Sequence, residues 1–203
     1  MVLLLVDKAL SRRVPGDRSK QGDNHGTHPE EALVRSISCC SPRKDSGVDK
    51  FQFPQPEEVD VALEDILLSE NDSRLSSLWV DRDDLRLRDS LPTERSNKPL
   101  RVGTVGKGGQ GERVYSPKGH AITLSAFGGG VGAKTGMYLF GNRIRRLHPL
   151  ECQKIMGFPD DFILDENPNV SYKQFGNSVV VSVVSAIAEE IEKALAKARL
   201  MAA

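Results

Sequence analysis

The chain has 203 residues, of which 38% are hydrophobic, and its 28 basic and 28 acidic side chains give a formal net charge of zero. This length suffices for one domain, or for a small domain with an appended segment, and the balanced charge alone argues neither for nor against a nucleic-acid partner. Three cysteines exclude the even, spaced framework of a secreted disulfide scaffold.

Charge is distributed unevenly along the chain. Residues 1–50 carry 9 basic and 7 acidic side chains, residues 51–94 carry 4 and 12, residues 95–146 carry 10 and 1, and residues 147–203 carry 5 and 8. A block with a net charge of +9 beside one of −8 indicates a local binding surface for an anion such as a phosphate backbone.

The first half of the chain has weak periodicity. Residues 11–49 hold neither a helical nor a strand period over ten residues, so we expect mostly irregular chain there. The apolar run in residues 1–10 is short and is expected to be a strand or helix fragment or a disordered start. Pro54 and Pro56 predict an extended segment at 51–58, and residues 61–68 predict a short helix. A surface connector is then expected up to Asp89, anchored to a core by its apolar residues Leu78, Trp79, Val80, Leu85 and Leu87.

Residues 102–139 hold eleven of the chain's 18 glycines. Strands are predicted at 100–105, 113–116, 121–126 and 137–140, separated by glycine turns, which together indicate a small, irregular, twisted β domain. Glycine also lets a backbone approach a ligand closely, so we expect this surface to meet something large and polar.

Helices are predicted after residue 146, which makes the expected fold class α+β. One helix should begin at Pro149, after His148, and end at Gly157. The last helix should begin near Ser178, whose hydroxyl would cap it, and run to about Leu200.

The sequence disfavours three other kinds of site: a P-loop, a dinucleotide-binding turn and a metal site. The string GGGVGAKTG at 128–136 resembles a P-loop, but Ala133 replaces a required glycine and a strand is predicted to follow instead of a helix; FGGGVG fails as a dinucleotide-binding turn for the same reason. The cysteines and histidines show no ligand spacing, so no metal is expected. No apolar run approaches the roughly 18 to 20 residues of a membrane helix, and we expect a soluble cytoplasmic protein with no membrane partner.

Four segments carry a resemblance to a known family: GKGGQGERVYS, HAITLSAFGGGVGAKTGMYL, RRLHPLECQKIMGFPDDF and YKQFGNSVV. Together they resemble the C-terminal part of the bacterial DNA cytosine-C5 methyltransferases, over about residues 51–191. The resemblance implies a target recognition domain at 51–146, a ninth-motif helix and connector at 147–176, and a tenth-motif helix at 177–203 that docks on a Rossmann-like catalytic domain absent from this chain. Residues 1–50 are unmatched.

The resemblance implies double-stranded DNA as a partner and a place near the bacterial nucleoid. Gln110 matches the glutamine that fills the space left by the flipped cytosine, and Arg113 matches a guanine-reading position. Composition alone would make these two residues a polar turn residue and a solvated strand residue. Recognition and phosphate-contact positions are matched by Thr123, Phe127, Gly128, Gly129 and Gly130, and further phosphate contacts are expected from Lys107, Lys118, Lys134, Arg143, Arg145 and Arg146.

The resemblance also implies S-adenosylmethionine as the cofactor, shared with the catalytic half. Asn177, Ser178 and Val179 match the tenth-motif residues near it, and short polar side chains at a helix N-terminus would suit its carboxylate. In the ninth motif Leu150 replaces the usual arginine, which weakens any salt bridge expected there.

No catalytic residue is assigned within this chain. The family's ProCysGln, GluAsnVal and FxGxG motifs do not occur in the sequence, so we expect the chain alone to be inactive. Two interpretations remain open. The chain is either the recognition subunit of a split methyltransferase that acts with a catalytic subunit, or a non-catalytic DNA-binding remnant of a disrupted gene. Loop similarity points to GCGC as the target in a restriction-modification context.

Overall fold

The computed structural model describes residues 52–56 and 59–202, so the expectation for residues 1–50 lies outside the described part. The described residues divide into two units, one of residues 59–184 and one of residues 52–56 and 185–202. Over these ranges, none of the helices combines the length and apolar character needed to cross a membrane.

A six-stranded mixed sheet forms the centre of the first unit. Its strands are β1 (Trp79–Val80), β2 (Arg86–Leu87), β3 (Leu100–Thr104), β4 (Arg113–Ser116), β5 (Met137–Phe140) and β6 (Arg143–Arg145). The spatial order is β1-β6-β5-β4-β3-β2, and all neighbouring strands are antiparallel except β4 and β5, which are parallel. With the helices that follow, the fold is α+β, as the sequence predicts.

The core of the sheet is a small apolar cluster. Val102, Val105, Val114, Met137 and Ile144 are each at most 2% exposed and pack together. Partly buried side chains around them come from other parts of the unit: Val80, Leu85, Val131 and Leu139. Each fully buried aliphatic side chain contributes about 1.5–3 kcal/mol, so this cluster stabilises the sheet from which the loops extend.

Strands β3, β4 and β5 lie where the glycine-separated runs predict them. The strand predicted at 121–126 is wrong, because this segment bonds outside any ladder: the Ile122 N–H donates to Tyr138 Oη at 3.0 Å and the Ser125 N–H to the Lys134 carbonyl at 2.8 Å. These backbone bonds hold the segment beside β5, and the side chain of Thr123 is exposed.

The acidic segment before β3 is more than a surface connector, and that prediction is wrong. The short helix predicted at 61–68 is there as the 3-10 helix Leu63–Ile66. The chain after it forms a second 3-10 helix, Ser73–Leu78, and then supplies both edge strands, β1 and β2. Leu78 is 7% exposed and Val80 and Leu85 pack on the core, as expected of anchors, whereas Leu87 is 41% exposed and lies outside the core cluster.

Three helices follow the sheet: α1 (Pro149–Met156), α2 (Pro168–Asn177) and α3 (Val181–Ala202). Helix α1 begins and ends as predicted, with His148 Nδ1 accepting from the Leu150 N–H at 3.2 Å and Gly157 in the left-handed region at φ 76°. Burial lowers the pKa of His148, which keeps the neutral imidazole that this cap requires.

The predicted start of the last helix is wrong. Ser178 ends α2 instead of capping α3, and its Oγ donates to the Phe175 carbonyl at 3.0 Å. Helix α3 begins three residues later, at Val181. Asn177 and Ser178 therefore lie at a helix C-terminal end, and the expected helix N-terminus at these residues is not there.

A buried ion pair joins the sheet to α1. Arg145 and Glu151 are both fully buried and bond through two contacts of 2.8 Å. Glu151 also accepts from the Leu68 N–H at 2.9 Å and the His148 N–H at 2.7 Å. The expectation that Arg145 contacts phosphate is wrong, because its guanidinium is committed inside the protein. The leucine at position 150 leaves this pair intact.

Candidate nucleic-acid interface

Loop 1, residues 106–112, connects β3 to β4 and is held in shape by carboxylates. The Gly106 N–H donates to Asp84 Oδ2 and the Gly109 N–H to Glu112 Oε2, both at 2.8 Å. The Arg82 guanidinium bonded to Asp84 holds the pKa of that carboxyl well below its usual range, so the acceptor stays ionised. Gly106 and Gly108 have φ of 57° and 78°, conformations that favour glycine.

Loop 2, residues 127–136, leads into β5. Gly130 and Gly136 have φ of 90° and 80°, and Lys134, at 76°, is the sole residue other than glycine with positive φ in the described ranges. Because the strand Met137–Phe140 follows directly, the loop lacks the helix that a phosphate-binding P-loop needs. The strand predicted at 137–140 is confirmed.

The two loops pack backbone against backbone. A Cβ on Gly111 would lie 2.0 Å from the Gly129 carbonyl oxygen, so no side chain fits there. The Gly132 N–H donates to the Gly111 carbonyl at 2.8 Å. Gly111 is not in the left-handed region, so the neighbouring loop, and not backbone conformation, requires a glycine at this position.

The residues matched to base reading lie around this contact. Gln110 is exposed and starts the 3-10 turn Gln110–Glu112, directly before Gly111. Arg113 is half-buried at the start of β4, and its Nε is buried without a hydrogen-bond partner within the described residues. Thr123 is exposed, and Phe127 is 78% exposed at the start of loop 2.

The basic side chains have different surroundings. Lys107 is exposed in loop 1, whereas Lys118 Nζ donates to the Thr93 carbonyl at 2.7 Å. The Arg143 guanidinium lies 4.1 Å from the centre of the Trp79 ring. Lys107 is therefore an exposed cation of the loop, whereas Lys118 and Arg143 already contact other groups of the chain.

Helix α2, which was not predicted, packs against loop 2. A Cβ on Gly176 would lie 2.2 Å from Ala126 N, and Lys173 Nζ lies 5.3 Å from the centre of the Phe127 ring. The sequence did carry a signal for α2: Asn167 caps the helix by accepting from the Asn169 N–H at 3.0 Å, and Pro168 occupies its first position.

The residues matched to the cofactor end α2 and begin the connector to α3. Asn177 is exposed, Val179 is 60% exposed, and Ser178 is half-buried with its hydroxyl bonded to α2. Val180, by contrast, is 2% exposed and fixes the connector.

Cys152 is unsuited to act as a nucleophile. Its thiol is fully buried in α1, and burial raises its pKa, so the reactive thiolate does not form. In the described part of the chain, no group of three or more His, Cys, Asp or Glu residues is arranged to hold a metal ion.

Comparison with known proteins gives a consistent set of matches. The family described as C-5 cytosine-specific DNA methylase matches residues 32–193. The type II methyltransferase M.HhaI of Haemophilus parahaemolyticus is 47% identical over 153 residues, which are 75% of this chain and 46% of that protein. M.SsoII of Shigella sonnei is 31% identical over 143 residues, 70% of this chain and 35% of that protein.

Among solved structures, the Entamoeba histolytica methyltransferase EhMeth has a TM-score of 0.49 and 17% identity, covering 76% of this chain and 46% of that one. The chain thus spans less than half the length of these relatives.

Proposed function

Because this chain belongs to the C-5 cytosine-specific DNA methylase family, we propose that it is the target-recognition portion of a DNA cytosine-C5 methyltransferase. It selects a site on duplex DNA and expels the target cytosine, and a catalytic half carries out methyl transfer. The observation that supports this most strongly is the stacking of two glycine loops within a segment of ten basic and one acidic residue.

Base recognition is proposed for Gln110 and Arg113. The Gln110 amide has both a donor and an acceptor, as pairing with an orphaned guanine requires, and its exposure leaves it free to enter the duplex. Arg113 presents a guanidinium that can bond to guanine O6 and N7 together. Thr123 and Phe127, both exposed, complete the surface that faces the bases and the adjacent backbone.

Phosphate contacts are proposed for loop 2 and for Lys107. In loop 1 the N–H groups of Gly106 and Gly109 already donate to carboxylates, so they are not available to DNA. The backbone of Gly128, Gly129 and Gly130 has no side chain in the way of a phosphate. Lys134 belongs to the same loop, and its ammonium donates to Asn169 Oδ1 of α2.

One wall of the cofactor site is proposed for Asn177, Ser178 and Val179. S-adenosylmethionine supplies the methyl group when bound. The exposed Asn177 amide can bond to its polar groups, and the exposed Val179 side chain can pack on its apolar surface. The remaining wall, and all the residues that react, are proposed to belong to the catalytic half.

The catalytic half is proposed to cover the apolar face of α3. Val184, Ile191 and Leu195 are 50%, 45% and 46% exposed, and their spacing of seven and four residues puts them on one side of the helix. Apolar side chains aligned in this way favour a protein partner over water. The assembled enzyme would act in the bacterial cytoplasm at the nucleoid, within a restriction-modification system like those of its type II relatives.

Mixing the chain with a catalytic half that carries the ProCysGln and GluAsnVal motifs tests this proposal. Transfer of a labelled methyl group to a GCGC duplex is expected from the mixture and from neither part alone, and a duplex with the site scrambled should remain unlabelled. No transfer from the mixture would contradict the split enzyme and favour the alternative, a non-catalytic DNA-binding remnant. The upstream DNA gives a second criterion, because the same motifs in an interrupted frame also favour the remnant.

A further inference from the structure

Lys134 is held by α2 in an unusual conformation. Its backbone φ is 76°, a value that residues other than glycine rarely adopt. Such a conformation is kept where the surrounding contacts hold the residue in it. The Lys134 ammonium donates to Asn169 Oδ1 at 3.0 Å and lies 5.9 Å from the centre of the Tyr172 ring. Both partners belong to α2, so this helix fixes the end of loop 2 that leads into β5.

The C-terminal end of α2 holds the other end of loop 2. A Cβ on Gly176 would lie 2.2 Å from Ala126 N and 2.5 Å from the Ser125 carbonyl carbon, so the helix and the segment before loop 2 touch through their backbones. The Ser125 N–H in turn donates to the Lys134 carbonyl at 2.8 Å, which closes the base of the loop. Asn169 and Gly176 are seven residues apart, about 10 Å along a rigid helix.

Loop 2 transmits this support to loop 1. Gly129 and Gly132 lie directly against Gly111, which is flanked closely in the chain by Gln110 and Arg113. A shift of α2 relative to loop 2 would therefore move the side chains proposed to read the bases, although α2 contributes none of them.

We propose that α2 is a buttress for the recognition loops, and that Asn169 and Gly176 are positioning residues that set base discrimination without touching DNA. The effect on base discrimination rests on the proposed function. The claim that α2 holds loop 2 in place rests on contacts within the protein alone. It gives Lys134 a role as the tether between loop 2 and α2.

Four variants of the full chain separate these roles. Asn169→Ala removes the tether's acceptor, while Asn167 still caps α2. Gly176→Ala forces the helix away from residues 125 and 126. Gln174→Ala changes an exposed position of the same helix and serves as the control, and Lys134→Met removes the ammonium itself.

The first measurement is backbone amide hydrogen exchange over residues 121–136 in the free protein. Asn169→Ala and Gly176→Ala should speed this exchange, and Gln174→Ala should leave it unchanged. Unchanged exchange in Asn169→Ala and in every folded form of Gly176→Ala would overturn the proposal. Asn169→Ala keeps the test decisive if the glycine variant does not fold, because alanine suits a helix at that position.

The second measurement is the ratio of affinities for a GCGC duplex and a scrambled one, taken over a range of salt. The two buttress variants should lower this ratio about three- to thirty-fold with an unchanged salt slope, and Lys134→Met should do the same. A slope that falls by about one in Lys134→Met, with unchanged exchange, would identify a phosphate contact and overturn the tether. If the wild-type chain shows no DNA binding at all, the proposed function fails, and the exchange result still decides whether α2 holds loop 2.

Discussion

At the scale of single residues, Glu151 shows how one carboxylate can join three parts of a small domain. It accepts two bonds from Arg145 of β6, one from the Leu68 N–H and one from the His148 N–H at the start of α1. All of its acceptor positions are used, which offsets part of the cost of burying the ion pair, while Arg145 Nε is buried without a hydrogen-bond partner among the described residues. Removing either charge leaves the other buried and unpaired.

Glu151→Gln should therefore lower the free energy of unfolding by about 3–5 kcal/mol, measured by urea denaturation. Glu64→Gln is the matched control, because the partly exposed ion pair of Glu64 with Arg95 should contribute less than about 1 kcal/mol. Equal, small losses in the two variants would show that the buried pair does not hold the sheet to α1.

Arg113 carries the sharpest prediction about recognition. Arg113→Ala should cost about 1–3 kcal/mol of discrimination between the cognate duplex and one changed at the guanine it reads, measured by competition binding. Arg88→Ala removes an exposed arginine next to β2 and should weaken all duplexes equally or not at all. If both variants lost affinity equally for every duplex, Arg113 would be a phosphate contact and not a base reader.

At the scale of elements, the glycines of the two loops serve different purposes. Gly106 and Gly130 need glycine for their backbone angles, whereas Gly111 needs it because loop 2 occupies the space of a side chain. In the sequence these glycines form one cluster, and their spacing does not show which of them have positive φ and which are packed against another loop. The packing of Gly111 depends on loop 2, which is distant in the sequence.

Gly111→Ala should separate the two loops. The added Cβ would lie 2.0 Å from the Gly129 carbonyl, and a forced backbone shift costs about 1–3 kcal/mol, to be read as a lower midpoint in thermal unfolding. Gly129→Ala is the control, since a Cβ there meets nothing within 4 Å. Equal midpoints for the two variants would contradict the stacked arrangement.

The elements that the sequence predicts are those with local signals. Runs of β-forming residues between glycines mark β3, β4 and β5, and proline at the start with glycine at the end marks α1. Strands β1 and β2 are only two residues long and exist because β6 and β3 pair with them, which no local pattern reveals. Ser178 has the residue type of a helix N-cap, which explains the wrong prediction that it begins the last helix. It instead ends α2, whose pattern is weak because its buried residues are only Ser171, Tyr172 and Phe175.

At the scale of the whole molecule, the zero net charge includes the opposite charges of an acidic and a basic segment, whose charged side chains have different partners. Several carboxylates of the acidic segment 51–94 already have partners within the chain: Asp84 accepts from loop 1, and Glu64 and Asp65 bind Arg95. The basic segment 95–146 keeps exposed cations such as Lys107 on the loops. Total charge therefore says nothing about DNA binding, whereas the charge of each segment does.

The stacked loops are proposed to bind duplex DNA, and a salt titration tests this binding most directly. The affinity of the chain for a labelled GCGC duplex should fall linearly on logarithmic axes, with a slope of about −0.9 for each phosphate contacted and roughly −3 to −5 in total. The slope for a scrambled duplex should be similar, with weaker binding throughout. An affinity that does not change with salt would contradict binding to the phosphate backbone, and equal affinities for the two duplexes would contradict recognition of the site.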